Sequence, residues 1–173
     1  MRSVAVAALL AVALAPAAPS VRAAEPWDLA KKAAGKATTG KLEKEINKRL
    51  LDEGRKNQCS FKTDTDELEK GCDAKMRRLS NALVDAKKKL NGAGVKNFQF
   101  VVSGHTDSTG NAAHNKELSG RRAAVVVKEL VAKGIPAAEI RSEGMGSERM
   151  LVKPDDTPAK RAKNRRYEIQ VQL

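Results

Sequence analysis

The chain reads as an α+β protein, a two-layer sandwich of order βαβαβ-loop-β with two main helices packed on one face of a mixed sheet. Three observations predict it. Met76, Leu79, Leu83, Ala86 and Leu90 recur at spacings of three and four, and so do Leu118, Ala123, Val126 or Val127, and Leu130, which is the pattern of a helix with one buried stripe. Phe98, Phe100 and Val102, and later Tyr167, Ile169, Val171 and Leu173, alternate with polar or mixed neighbours, as half-buried strands do. Helices with one apolar stripe each must lie against the same face of the sheet, which leaves the other face partly wet.

Taken in order, Met1-Arg2 gives a positive start, Val4 to Ala15 is an apolar run, and Val21-Arg22-Ala23 offers small residues for cleavage before Ala24. This is a secretory signal over residues 1–23; the run falls short of the roughly 17 residues a membrane-spanning helix needs. No cysteine follows to carry a lipid, so a soluble, exported chain with no transmembrane segment is expected. Residues 24–57 are rich in Lys, Ala and Glu, punctuated by Gly35 and Gly40, and only Leu42, Ile46 and Leu50 keep helical spacing. The spacing predicts a short helix from about Lys41 to Gly54, too poor in apolar residues to form a core. It either packs on the following domain or serves as a basic arm or spacer.

Residues 58–173 hold the domain. Cys59 to Thr63 reads as a short strand, the first helix stripe follows, and Asn91-Gly92-Ala93-Gly94 ends it. The strand through Phe98 to Ser103 is the expected sheet centre. A helix from about Ala113 to Lys133 stops at Gly134 and Pro136, and Ile140 to Gly144 forms a further strand. An irregular stretch with Pro154 and Pro158 leads to the last strand. Cys59 and Cys72 are the only cysteines; in an exported chain they are expected to pair as a disulfide rather than remain two buried thiols. Neither belongs to a Cys-x-x-Cys pair nor lies near a histidine, which disfavours metal.

The formal net charge is +12, and loss of residues 1–23 with Arg2 and Arg22 leaves +10. Such an excess attracts anionic polymers non-specifically and is screened beyond about 8 Å at physiological salt. Phe, Tyr and Trp number only 3, 1 and 1 and do not interleave with the lysines, which argues against a nucleic-acid platform.

The chemistry concentrates between Ser103 and Ala123. There a strand ends, turns through small polar residues and opens a helix carrying Arg121 and Arg122. Asp107 offers an acceptor for an ammonium and Arg122 a planar donor fork for a carboxylate, so the pair suits a zwitterion. Gly104-His105-Thr106-Asp107-Ser108-Thr109-Gly110, then Asn115, then Leu118-Ser119-Gly120-Arg121-Arg122-Ala123, and finally Arg161-Ala162-Lys163-Asn164-Arg165-Arg166 resemble the OmpA-like peptidoglycan-binding domain, also found in Pal lipoproteins and MotB-type stators. The resemblance covers residues 58–173.

It implies non-covalent binding of the peptidoglycan stem peptide through the zwitterionic end of diaminopimelate, with Asp107 on the ammonium, Arg122 on the carboxylate, and Asn115 and Arg165 closing the pocket. Thr106, Thr109 and Gly110 belong to the same turn. A helix beginning just after Gly110 would add free backbone N–H groups and dipole for the ligand carboxylate. Charge-assisted bonds contribute about 1.5–3 kcal/mol each, so a free stem peptide is expected to bind in about the micromolar to millimolar range.

Each residue has a plainer role to weigh. Asp107 suits a turn cap, Arg122 can pair with Glu117 or Glu129 along its helix, and Asn115 stands between ligand contact and a helix-turn bond. Strand alternation puts Arg165 and Arg166 on opposite faces, and the resemblance points to Arg165. His105, His114 and Asp107 would supply three zinc ligands, but His105 at a strand end fits a structural histidine whose ring bonds backbone. No metal, cofactor or catalytic residue is expected. Two positions depart from the family pattern: Met145 in Gly144-Met145-Gly146-Ser147-Glu148 stands where an aromatic is usual, and Lys160 replaces a glycine. The loop from Ser147 to Lys163 is therefore more cationic than acidic.

The reading is a periplasmic protein, with a place peripheral to the outer membrane as an option, anchored to the cell wall, whose residues 24–57 contact an envelope protein. The alternative is an envelope adaptor that binds another protein or anionic lipid through its basic surface without wall binding.

Overall fold

The computed structural model describes residues 26–62 and 64–173; the expected signal peptide, residues 1–23, lies outside them. The elements run α1 (Pro26–Lys56), α2 (Asp73–Gly92), β1 (Gln99–His105), α3 (Ala112–Ala132), a 3-10 turn (Ala137–Glu139), β2 (Ile140–Gly144), α4 (Pro158–Asn164) and β3 (Arg166–Gln172). The sheet order is β2-β1-β3. β1 pairs parallel with β2, Phe100 opposite Ile140, and antiparallel with β3, Val102 opposite Ile169. The expected α+β fold with a mixed sheet and central β1 is the one observed.

The buried stripes follow the periodicity. Met76, Leu79, Leu83, Ala86 and Leu90 of α2 and Ala123, Val126 and Leu130 of α3 meet Phe100, Val102, Ile140, Tyr167, Ile169 and Val171 in one core. Val126, not Val127, takes the fully buried position. Leu90 and Leu130 also close their helices, accepting from Val95 N at 2.9 Å and Ile135 N at 3.2 Å where Gly94 and Gly134 supply positive φ.

Two features differ from expectation, and they share a cause. The expected Lys41–Gly54 helix extends over Pro26–Lys56, because Ala- and Lys-rich sequence propagates a helix even though each interior glycine costs about 1 kcal/mol relative to alanine. Its Ile46 and Leu50 join the core, so three helices rather than two cover the sheet, and packing does not break at the 57/58 boundary. Of the expected Cys59–Thr63 strand, Thr63 lies outside the described residues and residues 59–62 form no ladder strand; Phe61 makes an isolated antiparallel bridge with Leu68. The outer edge of β3, where another strand would pair, is occupied by side-chain amides. Asn47 donates to Val171 O (3.0 Å) and accepts from Val171 N (2.6 Å), while Gln58 donates to Tyr167 O (2.7 Å) and accepts from Tyr167 N (3.2 Å). Each amide offers the donor and acceptor that a neighbouring strand would present, satisfying an edge that would otherwise invite pairing.

Candidate functional site

The site begins with a glycine seam. A Cβ on Gly104 would lie 2.1 Å from Ser119 O, and one on Gly144 would lie 2.3 Å from Lys116 O. The absence of side chains lets α3 rest directly on the ends of β1 and β2. Ser119, fully buried, locks the contact: its Oγ donates to Lys116 O and accepts from Gly146 N, both at 2.9 Å. The end of β1, the start of α3 and the segment from Leu151 to Tyr167 thereby surround a cleft of about 1190 Å³. Thr106, Asp107, Thr109, Gly110, Asn115, Arg122 and Arg165 all line it.

Asp107 is 6% exposed. Its Oδ1 accepts from Thr109 N (3.1 Å) and from the Thr109 hydroxyl, and its Oδ2 accepts from Arg165 Nη1 at 2.8 Å. Burial pushes its pKa up, but the Thr109 hydroxyl and Arg165 outweigh burial and hold it below the ordinary carboxylate value. Asp107 is thus a turn cap and a cleft carboxylate together. Of the four or so lone-pair positions of a carboxylate, three are used, and a further donor fits on Oδ2. Arg165 takes this contact, while Arg166 turns to Glu168 (2.8 Å) and Arg149 O (3.0 Å) but also lines the cleft; Arg165 precedes β3, so strand alternation does not separate the two as expected.

Arg122 is held differently. Its Nε donates to Thr65 O at 2.8 Å, Nη2 donates to Lys62 O at 3.3 Å, and the guanidinium carbon sits 5.1 Å from the centroid of Phe61. Burial draws its pKa down, opposed mainly by Asp64. It does not pair along its helix: Arg121 takes Glu117, and Lys133 takes Glu129. With two of five N–H donors used, the free ones are both on Nη1 and the second on Nη2, an end-on fork matched to a carboxylate.

This geometry coincides with a family match. The OmpA family model matches residues 60–165. The chain belongs to the OmpA family. Over 51 residues it is 53% identical to outer membrane protein A of Klebsiella pneumoniae, covering 30% of this chain and 15% of that protein. Over 73 residues it is 43% identical to the peptidoglycan-binding protein ArfA of Mycobacterium bovis, covering 42% and 22%. The chain therefore spans less than a quarter of the length of these two relatives. The C-terminal domain of Helicobacter pylori MotB is similar in structure at TM-score 0.54 and 26% identity, over 67% of this chain and 84% of that one. The peptidoglycan-associated lipoprotein from Burkholderia pseudomallei gives 0.52 at 20% identity, over 66% and 87%, a likeness of fold.

Two expectations for this OmpA-family site, the open start of α3 and the backbone bond of the His105 ring, are corrected. Two of the backbone N–H groups expected to be free at the start of α3 are taken: the Asn111 side chain accepts from Ala113 N (2.8 Å) and His114 N (3.3 Å), so the helix caps itself. Asn115 braces the turn, donating to Thr109 O at 2.8 Å across Gly110, whose φ is +87°. Among the described residues, the buried Thr106 hydroxyl meets no hydrogen-bond partner, and neither ring nitrogen of His105 makes the expected bond to backbone. His105 Nε2 lies 3.8 Å from Glu168; burial first, then Arg166 and Arg149, lower its pKa to about 4. His114 turns instead to Asp64 at 3.1 Å. Among the described residues no three His, Cys, Asp or Glu side chains gather as metal ligands.

The positions that depart from the family pattern are accommodated. Met145 is buried and its N donates to Gly104 O at 2.9 Å, while Lys160 pairs with Asp156 at 2.7 Å. Arg161 and Lys163 of the expected cationic wall do line the cleft.

Phe61 escaped the sequence reading of the site, and Asp155 and Asn164, which lie in the expected wall and motif, were given no role in it. Asp155 accepts from Ser108 N (2.9 Å) and the Ser108 hydroxyl, and those bonds hold its pKa at about 2. Asn164, wholly buried, donates to Asp155 and Val152 O and accepts from Leu151 N and Val152 N, fixing the loop opposite the motif turn. A lone Asp after Pro154 carried no sequence signal of this role. The Cys59–Cys72 disulfide, which is present, was the available hint that the Phe61 segment is held in place.

Proposed function

We propose that this protein binds peptidoglycan non-covalently, clasping the zwitterionic end of diaminopimelate in the stem peptide. Asp107 takes the ammonium on Oδ2, Arg122 takes the carboxylate through its free fork, Arg165 braces Asp107 and Asn115 holds the turn. The observation that carries the reading is that Asp107 and Arg122 line one cleft, each with hydrogen-bonding capacity left over of the sign the other lacks. Family membership supports it, as does ArfA, a relative named for peptidoglycan binding. Recognition here needs no bond breaking: the cleft's side chains are arranged as a static acceptor and donor.

In this reading the protein is exported to the periplasm and held at the wall, and α1 is the surface offered to an envelope partner. Among the described residues, no helix is long and apolar enough to cross a membrane. Sedimentation with purified sacculi tests the proposal. Wild type is expected to pellet and to be released by free diaminopimelate at constant salt, and Asp107→Ala and Arg122→Ala are expected to remain in the supernatant. Pelleting that is abolished by moderate salt but indifferent to diaminopimelate would instead mark a basic adaptor.

A further inference from the structure

We infer that the disulfide-closed loop between Cys59 and Cys72 is the positioning element for Arg122, with Phe61 as its bearing surface; the inference rests on the proposed role of Arg122 as the carboxylate-binding group. Among the described residues, the loop makes each hydrogen bond and ring contact of this guanidinium. Thr65 O and Lys62 O accept from Nε and Nη2, and the Phe61 ring lies beneath the plane at 5.1 Å. All three acceptors are uncharged. Among the described residues, no carboxylate comes within 4.0 Å of Arg122, whereas Arg121, Arg165 and Arg166 are each tied to one. An arginine held by carbonyls and a π face keeps its geometry without neutralising its charge. That is the arrangement a carboxylate receptor needs and a purely structural arginine does not.

The loop itself has little apolar packing to hold it. Phe61 and Leu68 are only partly buried against the core, and its internal order comes from Lys62 N to Glu67 O (2.9 Å), Glu69 N to Ser60 O (3.0 Å) and the Phe61–Leu68 bridge. The disulfide joins its two ends, 13 residues apart, between the buried Cys59 and the start of α2. Closing a loop at its base restricts the conformations its carbonyls can visit. Two carbonyls three residues apart can share one guanidinium only while the loop keeps its bend.

The test compares the full chain with Cys59→Ser/Cys72→Ser and with Phe61→Leu, each first checked for a cooperative thermal transition. Two readouts are needed. In the ligand-free protein, hydrogen exchange of the Arg122 Nε–H by NMR is expected to quicken by about tenfold or more in the double serine variant, consistent with loss of one hydrogen bond. In the bound protein, affinity is measured for a stem peptide ending in diaminopimelate and for the same peptide with the contacted carboxylate amidated. Wild type should prefer the carboxylate form, and both variants should lose much of that preference. Phe61→Leu keeps the apolar bulk and backbone, and it serves if the serine variant does not fold. Unchanged exchange, or an unchanged carboxylate preference in variants that fold, overturns the inference. If wild type binds neither peptide the proposed function fails, and the exchange readout then decides the positioning claim alone.

Discussion

Asp107 and Arg122 face one cleft but are fixed by different means. Asp107 is capped by a residue two positions away, in a turn whose Gly110 and Asn115 belong to the same short motif. Arg122 is oriented by carbonyls 57 and 60 residues earlier in the chain, from a loop tied by a disulfide. The acceptor side is therefore built mainly by its own turn, with Arg165, 58 residues later in the chain, as a distant brace on Oδ2. The donor side exists only after the tertiary fold has brought a separate loop across α3. A binding site built this way can lose its halves independently, which gives the comparison experimental content.

The largest expected effect removes both halves together. Gly104→Ala would put a Cβ 2.1 Å from Ser119 O, a backbone atom that cannot rotate away, so α3 must shift along its contact with β1. Overpacking of this kind costs about 1–3 kcal/mol and occasionally more, and a backbone clash belongs at the upper end. Urea unfolding should show the loss, and sacculus pelleting should fall with it. Full stability with normal pelleting would mean that the glycine seam does not set the position of α3.

An effect confined to the acceptor side comes from His105, two residues before Asp107. Its folded pKa is about 4, against an ordinary value of 6.5. Above pH 6.5 both folded and unfolded forms are neutral and His105 adds no pH dependence. As pH falls from 6.5 towards 4 the unfolded chain binds the proton and the folded chain does not, so stability declines by up to about 3 kcal/mol. Asp107 acts in a separate, lower window: its depressed pKa supplies stability above 3.8 that is lost as pH falls through the folded value. His105→Gln should flatten the denaturation profile between pH 6.5 and 4 and leave the more acidic decline in place. An unaltered slope would assign it to other groups.

The same contrast explains what could be read in the sequence. Apolar spacing identified α2, α3, β1 and β3 because burial of a periodic stripe is a local pattern with a global outcome. Asp107, Thr109, Gly110, Asn115 and Arg122 were legible as residue types in one motif. How Arg122 is held was not, because carbonyl acceptors such as Thr65 O and Lys62 O leave no trace in side-chain identity. The edge of β3 failed for a related reason. Cys59 to Thr63 has strand character, but the Asn47 and Gln58 amides that occupy Val171 and Tyr167 look like ordinary polar positions at the end of a basic helix. The self-capping of α3 was nearer to hand, since Asn111 is a favoured N-cap residue, and its claim on two of the N–H groups occupies part of the anion seat expected there.

The smallest effect is expected one residue away from one of the largest on binding. Arg121 and Arg122 share a helix turn, a charge and a motif, and composition gives no ground for separating them. Arg121 meets Glu117 one turn back, with side chains 42% and 72% exposed, and an exposed pair of this kind contributes little. Arg121→Lys should change stability by less than about 0.5 kcal/mol and leave pelleting untouched. Arg122→Lys keeps the charge but gives up the planar fork and the paired carbonyl contacts, so stem-peptide affinity should fall by about tenfold to a hundredfold, the loss of one charge-assisted contact. Equal behaviour of the two lysine variants would show that the cleft attracts its ligand by charge alone, and the distinction between a turn-built acceptor side and a loop-positioned donor side would then have no bearing on binding.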